Sequence, residues 1–262
     1  LLLAVRMGEM HLPQLARQLA SIDQMAGGRL CINIISSDIP GEALDSAPRY
    51  QRTREWMQVL RQLLNGQAID FHGEFVDLEL EPPRILEGAT SPPFYFGGFS
   101  PAAKDVAAAE SDVFLTWPDT VASVGSTVAE MTTLAYKHYD RELIYGLRAH
   151  VIVRETEAMA LRAAEHLVSK LDIDTGDAIR NKSLDAASFG VARQAALREG
   201  AADDGFVEDN LWTGVGRARS GAGAAIVGNP DQVAAKLQAY QDVGIGAFIL
   251  SGYTHAAECD LF

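Results

Sequence analysis

The sequence predicts a parallel α/β fold closed as a (β/α)8 barrel. Short apolar strands alternate with amphipathic helices over most of the chain, which implies parallel pairing through crossover helices. Polar side chains gather at strand C-termini, the face on which such barrels carry their sites. No glycine-rich phosphate loop follows the first strand. A doubly wound sheet, the rival architecture, normally carries one there.

Taken in order, residues 1–6 read as a strand. Leu12, Leu15, Ala16, Leu19 and Ile22 recur at helical spacing until Gly27-Gly28 stops the helix. Residues 31–35 form the next strand, ending at Ser36-Ser37, and a helix rich in Arg and Gln runs from 49 to 64. Residues 71–80 alternate like a small hairpin before Pro82-Pro83 breaks the chain. Phe94-Tyr95-Phe96 is a strand, followed by a helix to Glu110 with Ser100 as its cap and Pro101 at its first position. Residues 113–117 make another strand, 146–153 a further one, and Thr156 opens an Ala-rich helix to 171. Residues 225–228 are a strand, Asn229-Pro230 repeats the cap signal for a helix ending near Gly244, and residues 247–250 close the series. Residues 172–222 break the rhythm, with many Gly, Asp, Ala and Arg and no clear strand. They predict an insertion, a lid or mobile loop, within one domain spanning 1–262. Gly214 to Gly223 lies inside that insertion rather than at a strand-to-helix turn, so it reads as loop, with phosphate cradling the weaker alternative.

Composition narrows the function. The 262 residues are 48% hydrophobic and 22% charged, ordinary globular material. A net charge of -13 argues against binding to nucleic acid or an anionic membrane. Cys31 and Cys259 offer neither a disulfide framework nor metal-ligand spacing, which fits a reducing, cytoplasmic compartment and predicts no metal site. No apolar run reaches the roughly 18 residues of a membrane span, and the first residues carry no signal-peptide pattern. The chain starts directly on an apolar strand and stops at Asp260-Leu261-Phe262 without a cap, so both ends read as cut.

Two strand-like segments carry polar pairs spaced two residues apart, which on a strand share a face: Arg148 with His150, and Tyr253 with His255. Both pairs adjoin apolar runs, where an unpartnered Arg or His is costly. Each reads either as part of a reaction site or as a core histidine satisfied by backbone.

Residues 16–23 through Gly28-Arg29, Tyr95-Phe96-Gly97-Gly98, Leu115-Thr116-Trp117, 147–156, Asn210-Leu211-Trp212, 214–228 and Leu250-Ser251-Gly252-Tyr253 resemble the bacterial luciferase-like flavin monooxygenases, and among them most the alkanesulfonate monooxygenases. The resemblance covers nearly the whole chain. It implies a (β/α)8 barrel whose insertion closes over the site, with about the first three strands and the final helices outside this sequence. A catalytic-site cysteine of many alkanesulfonate enzymes belongs to that front segment, and neither Cys31 nor Cys259 replaces it. The implied chemistry uses reduced FMN (FMNH2) from a separate NAD(P)H-dependent flavin reductase, together with O2, to convert a small organosulfur substrate to aldehyde and sulfite. The resemblance also implies a homo-oligomer, dimer or tetramer. A sulfone monooxygenase, a deazaflavin-dependent oxidoreductase and a non-catalytic flavin-binding barrel are the alternatives.

Site residues follow from the same resemblance, checked against residue chemistry. Ser100, behind Gly98 and Phe99, puts a hydroxyl and amides at a helix N-terminus, either a flavin-phosphate site or an ordinary cap. Tyr50 matches a tyrosine that meets the phosphate. The family often has a histidine four residues earlier, where this chain has Ser46, so the contact is expected to be rearranged. Asn33 and Ser36 match positions lining the flavin ring, and Ala4 one that approaches it; Asn33 in an apolar strand needs a partner, ligand or backbone. Arg148 and Arg219 are the cations expected near the sulfonate and the reacting oxygen, since a guanidinium fork suits an oxyanion. Arg219, on the loop, would arrive when the lid closes; a solvated loop charge is its plainer reading. His150 is the proton-transfer group. Tyr253 is a hydrogen-bond donor to the reacting oxygen or substrate, and His255 stands behind it. Trp117 either walls the pocket or packs the core.

Overall fold

A computed structural model describes residues 1–37, 41, 44–81, 90–181 and 188–262. The chain forms two compact units, one of Leu1–Phe114 with Ala135–Leu143, the other of Leu115–Leu134 with Ile144–Phe262.

The first unit opens with β1 (Leu2–Arg6), α1 (Leu12–Met25), β2 (Cys31–Ile35) and α2 (Ser46–Leu64). An antiparallel hairpin of β3 (Ile69–His72) and β4 (Asp77–Leu80) follows, then β5 (Phe94–Phe96), α3 (Pro101–Glu110) and β6 (Val113–Thr116). β1, β2, β5 and β6 pair in parallel in that order. Helix α1 buries the stripe Leu12, Leu15, Ala16, Leu19 and Ala20, and ends where Gly27 and Gly28 take φ of +65° and +71°, a region side chains rarely adopt. Along β2, Ile32 and Ile34 are buried while Cys31, Asn33 and Ile35 stay half open, and the register sets Ala4 beside Asn33 and Asn33 beside Tyr95. Glu55, 3% exposed, fastens the hairpin to α2: its carboxylate accepts from the amides of Glu74, Phe75 and Val76 at 3.0, 2.7 and 2.9 Å. Burial raises its pKa, but these amides and Gln51 outweigh that and hold it below the usual carboxylate value.

The second unit contains α4 (Val121–Tyr139, ending in the first), β7 (Ile144–Val153), α5 (Glu157–Val168), α6 (Ile173–Asn181), α7 (Phe189–Glu199), β8 (Phe206–Glu208), β9 (Leu211–Trp212), a 3-10 turn (Gly214–Arg217), β10 (Ala225–Gly228), α8 (Pro230–Asp242), β11 (Ile245–Ser251) and α9 (His255–Leu261). β7 pairs in parallel with β10 and with β11, so that His150 has Ala225 in register on one side and Ser251 on the other. Ile152, Ala160, Ala164, Trp212, Val215 and Val227 form a core between α5 and this sheet.

Three sequence expectations change. The described residues of 172–222 (172–181 and 188–222) are not a strandless loop: they include α6, α7, β8, β9 and the 3-10 turn, with β9 adding antiparallel to β10. Helix α7 buries Gly190 and Gln194 rather than large apolar groups, so it leaves no apolar period to read, although Ser188 caps it at Val191. Helix α4, where the sequence reading assigns no element, buries Val124, Thr127, Met131 and Ala135. That spacing is helical, but Thr and Ala mute the signal. Strand β11 ends at Ser251, before Tyr253 and His255. The expected break at Pro82-Pro83 lies outside the described residues.

Candidate functional site

β7 carries Arg148 and His150 at mid-strand, not at its end, because the strand continues to Val153. His150 is 2% exposed; its Nδ1 lies 3.0 Å from the Ser251 hydroxyl on β11. Its Nε2 is buried and has no hydrogen-bond partner among the described residues. The Tyr253 ring stacks on the imidazole at 5.1 Å and 23°, and Arg219 donates from Nη1 to the Tyr253 hydroxyl at 2.8 Å.

Tyr253 and His255 do not share a strand face. Tyr253 sits in the turn after β11, and His255 is the first residue of α9. The turn is tight because Gly252 has no side chain: a Cβ there would lie 2.4 Å from that of Glu258. Glu258 in turn accepts two hydrogen bonds from Arg154, at 2.9 and 2.7 Å, tying α9 to the segment after β7. The turn still delivers Tyr253 to His150, and His255 meets Tyr253 edge-on at 5.8 Å and 63°.

The electrostatics are unusual for a protein of net charge -13. Arg148 has its pKa lowered first by burial and then by Arg219. Burial, then Arg148, then Arg219 push His150 down to about 4, against a smaller opposing pull from the carbonyls of Ser251 and Ala222, so the ring is neutral at pH 7. Among the described residues neither arginine has a carboxylate partner, and the buried Arg219 Nε has no acceptor. Two half-buried cations without a counter-charge are costly unless a ligand supplies it. They line a cavity of about 450 Å³ with Trp117, Ile179, Gly221 and Tyr253. Trp117 is therefore a wall of this cavity as well as a packing residue; Gly221, at φ +91°, approaches its ring so closely that a Cβ would sit 3.3 Å away. A second cavity of about 180 Å³ lies among Arg180, Arg198, Arg217, Asp172 and Asp177. There Arg180 pairs with Asp177 and Arg198 donates to the Gly216 carbonyl.

The candidate flavin residues other than Trp117 lie in the first unit. Ala4 and Asn33 are neighbours on the half-open face of β1 and β2, and Ser36 shares a 2.7 Å hydrogen bond with Thr53 of α2. Tyr50 meets Phe96 edge-on at 6.3 Å, and the Arg49 guanidinium lies 5.5 Å from the Tyr50 ring centre. A Cβ on Gly98 would collide with that of Ala103 at 2.5 Å and come within 3.4 Å of the Tyr50 hydroxyl. Phe99 lies in the turn leading to α3. Ser100 is buried and its hydroxyl accepts from the Ala103 amide, which makes it the N-cap of α3 and leaves its O–H as a donor. Sequence reasoning missed Ser251, visible only through strand register, and Arg49, which adjoined a tyrosine already singled out.

Among the described residues no group of three or more His, Cys, Asp or Glu is placed to hold a metal ion, and no helix is long and apolar enough to cross a membrane. The profile of luciferase-like monooxygenases matches residues 1–246. The chain is 58% identical over 270 aligned residues to the sulfoquinovose monooxygenase of Novosphingobium aromaticivorans, an alignment covering 100% of this chain and 74% of that protein. It is 48% identical to the sulfoquinovose monooxygenase of Agrobacterium fabrum, covering 100% of this chain and 68% of the relative. Among solved structures it is similar to the EDTA monooxygenase of Chelativorans sp. BNC1, at 18% identity and a TM-score of 0.72 over 96% of this chain and 68% of that one. The fold class expected from the strand–helix alternation is thus the one found, and the chain belongs to the luciferase-like monooxygenase family.

Proposed function

We propose that the protein is an FMN-dependent monooxygenase cleaving the carbon–sulfur bond of an organosulfonate, and that a sulfo-sugar of the sulfoquinovose kind fits better than a linear alkanesulfonate. One observation carries the sulfonate: two half-buried arginines, without a carboxylate partner among the described residues, flank a neutral histidine whose buried Nε2 has no partner there. A neutral sulfone would leave both cations uncompensated. The sugar is supported by the two relatives above, both sulfoquinovose monooxygenases and 58% and 48% identical to this chain.

The first unit suits a flavin phosphate. Bare backbone at Gly98, the Tyr50 hydroxyl beside it, the Arg49 cation and the N-terminus of α3 supply donors and positive charge. Asn33, Ala4 and Ser36 would meet the ring. Reduced FMN, delivered by a separate NAD(P)H-dependent reductase in the cytoplasm, would when bound supply two electrons and, with O2, the oxidising equivalent.

The chain's own residues do the rest. In balance, R–CH2–SO3⁻, O2 and FMNH2 give R–CHO, SO3²⁻, FMN, water and a proton. Arg148 and Arg219 hold the sulfonate with paired N–H donors and ease departure of the doubly charged sulfite. Tyr253, held by Arg219, donates to the reacting oxygen. His150, neutral and unpaired at its buried Nε2, takes the proton released at carbon. An anion seated at the arginines removes part of the charge that depresses the ring, so substrate binding itself makes His150 a better base.

The reading is tested by sulfite release from sulfoquinovose, a series of linear alkanesulfonates and a dialkyl sulfone, with FMN, NADPH, O2 and an unrelated flavin reductase. Protein-dependent sulfite, fastest from the sulfo-sugar, is expected. Oxidation of the sulfone with no sulfite from any sulfonate would overturn it.

A further inference from the structure

Helix α7 holds both stems of the loop that carries Arg219. Gln194, 7% exposed, accepts from the Gly223 amide at 3.0 Å through Oε1 and donates to the Pro118 carbonyl at 2.7 Å through Nε2. One helical turn on, Arg198 donates to the Gly216 carbonyl at 3.0 Å. Gly216 and Gly223 are themselves in contact: a Cβ on Gly223 would fall 2.8 Å from the Gly216 Cα. The loop is thus pinched shut at its base with Arg219 near its tip. The same helix is anchored to the segment after Trp117, where Arg193 donates to Asp119 at 2.8 Å and to Ser123 at 2.6 Å. Gly221, inside the loop, rests against the Trp117 ring.

We propose that Gln194 is a positioning residue, and that α7 is a brace presetting Arg219 in the cavity before substrate arrives. Residues 188–223 then act as fixed scaffolding rather than as a lid that brings the arginine in. The amide is suited to this because one side chain spans two backbone groups of opposite polarity, and both would be left unpaired in a buried setting without it. The inference rests on the role of Arg219 proposed above.

The first test needs no ligand. Trypsin cleavage after Arg217 and Arg219 is followed in the substrate-free protein and in Gln194→Leu, with Gln194→Asn, too short to reach both backbone groups, in parallel should the leucine variant fail to fold. Cleavage in this loop is expected to rise about tenfold, the loss of one or two buried hydrogen bonds, with other sites unchanged. Equal loop cleavage, or a uniform rise at every site, would overturn the brace. The second test is a cycle on sulfite release. Gln194→Leu should lower turnover in the natural background and add little when Arg219→Ala is already present. Losses that multiply would show that Gln194 does not act through Arg219. An absence of sulfite from the unmodified protein would instead count against the proposed function, and proteolysis would still decide the brace.

Discussion

Arg219→Ala is expected to leave reduced-flavin binding intact while lowering turnover on a sulfonate by about 10²–10³-fold, the usual cost of removing one preorganised donor from a developing anion. The change removes the donor to the Tyr253 hydroxyl as well as half of the cation pair, so Tyr253 loses the contact that holds it. Arg219→Lys restores a charge but not the two parallel N–H groups and should recover only part of the loss. Stopped-flow binding of reduced FMN and steady-state sulfite release separate the two effects. Normal turnover in the alanine variant would remove Arg219 from the site.

His150 should titrate near pH 4 in the free protein and higher once a sulfonate is bound, read from its ring resonances by NMR. The sign follows from the causes: burial and two cations disfavour the imidazolium, and an anion at the arginines relieves the second of these. A ring whose pKa is depressed on folding contributes stability above its unfolded value of 6.5, and that contribution is lost as pH falls from 6.5 through about 4. A depression of this size corresponds to roughly 3 kcal/mol at neutral pH. Unfolding midpoints should therefore fall more steeply between pH 6.5 and 4 in the natural protein than in His150→Gln. Parallel pH curves would show that the ring is not held neutral as described.

Much of the fold was legible because strong local signals coincide with tertiary need. Ser100-Pro101 and Asn229-Pro230 announce helices that begin there, and Gly27-Gly28 ends one with a backbone only glycine adopts readily. The segment around α7 was not legible, since its buried face is glycine and glutamine and its role is polar bridging rather than apolar packing. At the site, the spacing of Arg148 and His150 on one strand was readable from period two alone. Tyr253 reached the site for a different reason than its spacing implied: a turn at Gly252, set by Glu258 and Arg154, places its ring on the imidazole. Ser100 shows the converse. Its cap signal is met by the helix it starts, since the hydroxyl accepts from the Ala103 amide, and the same signal is silent on what its O–H donates to.

Arg148 and Arg219 are proposed to form a sulfonate site. Anaerobic calorimetry with reduced FMN present, comparing sulfoquinovose with glucose, tests it most directly. The sulfo-sugar should bind more tightly by about 100-fold or more, the worth of two charge-assisted contacts. Glucose binding with equal affinity would contradict it.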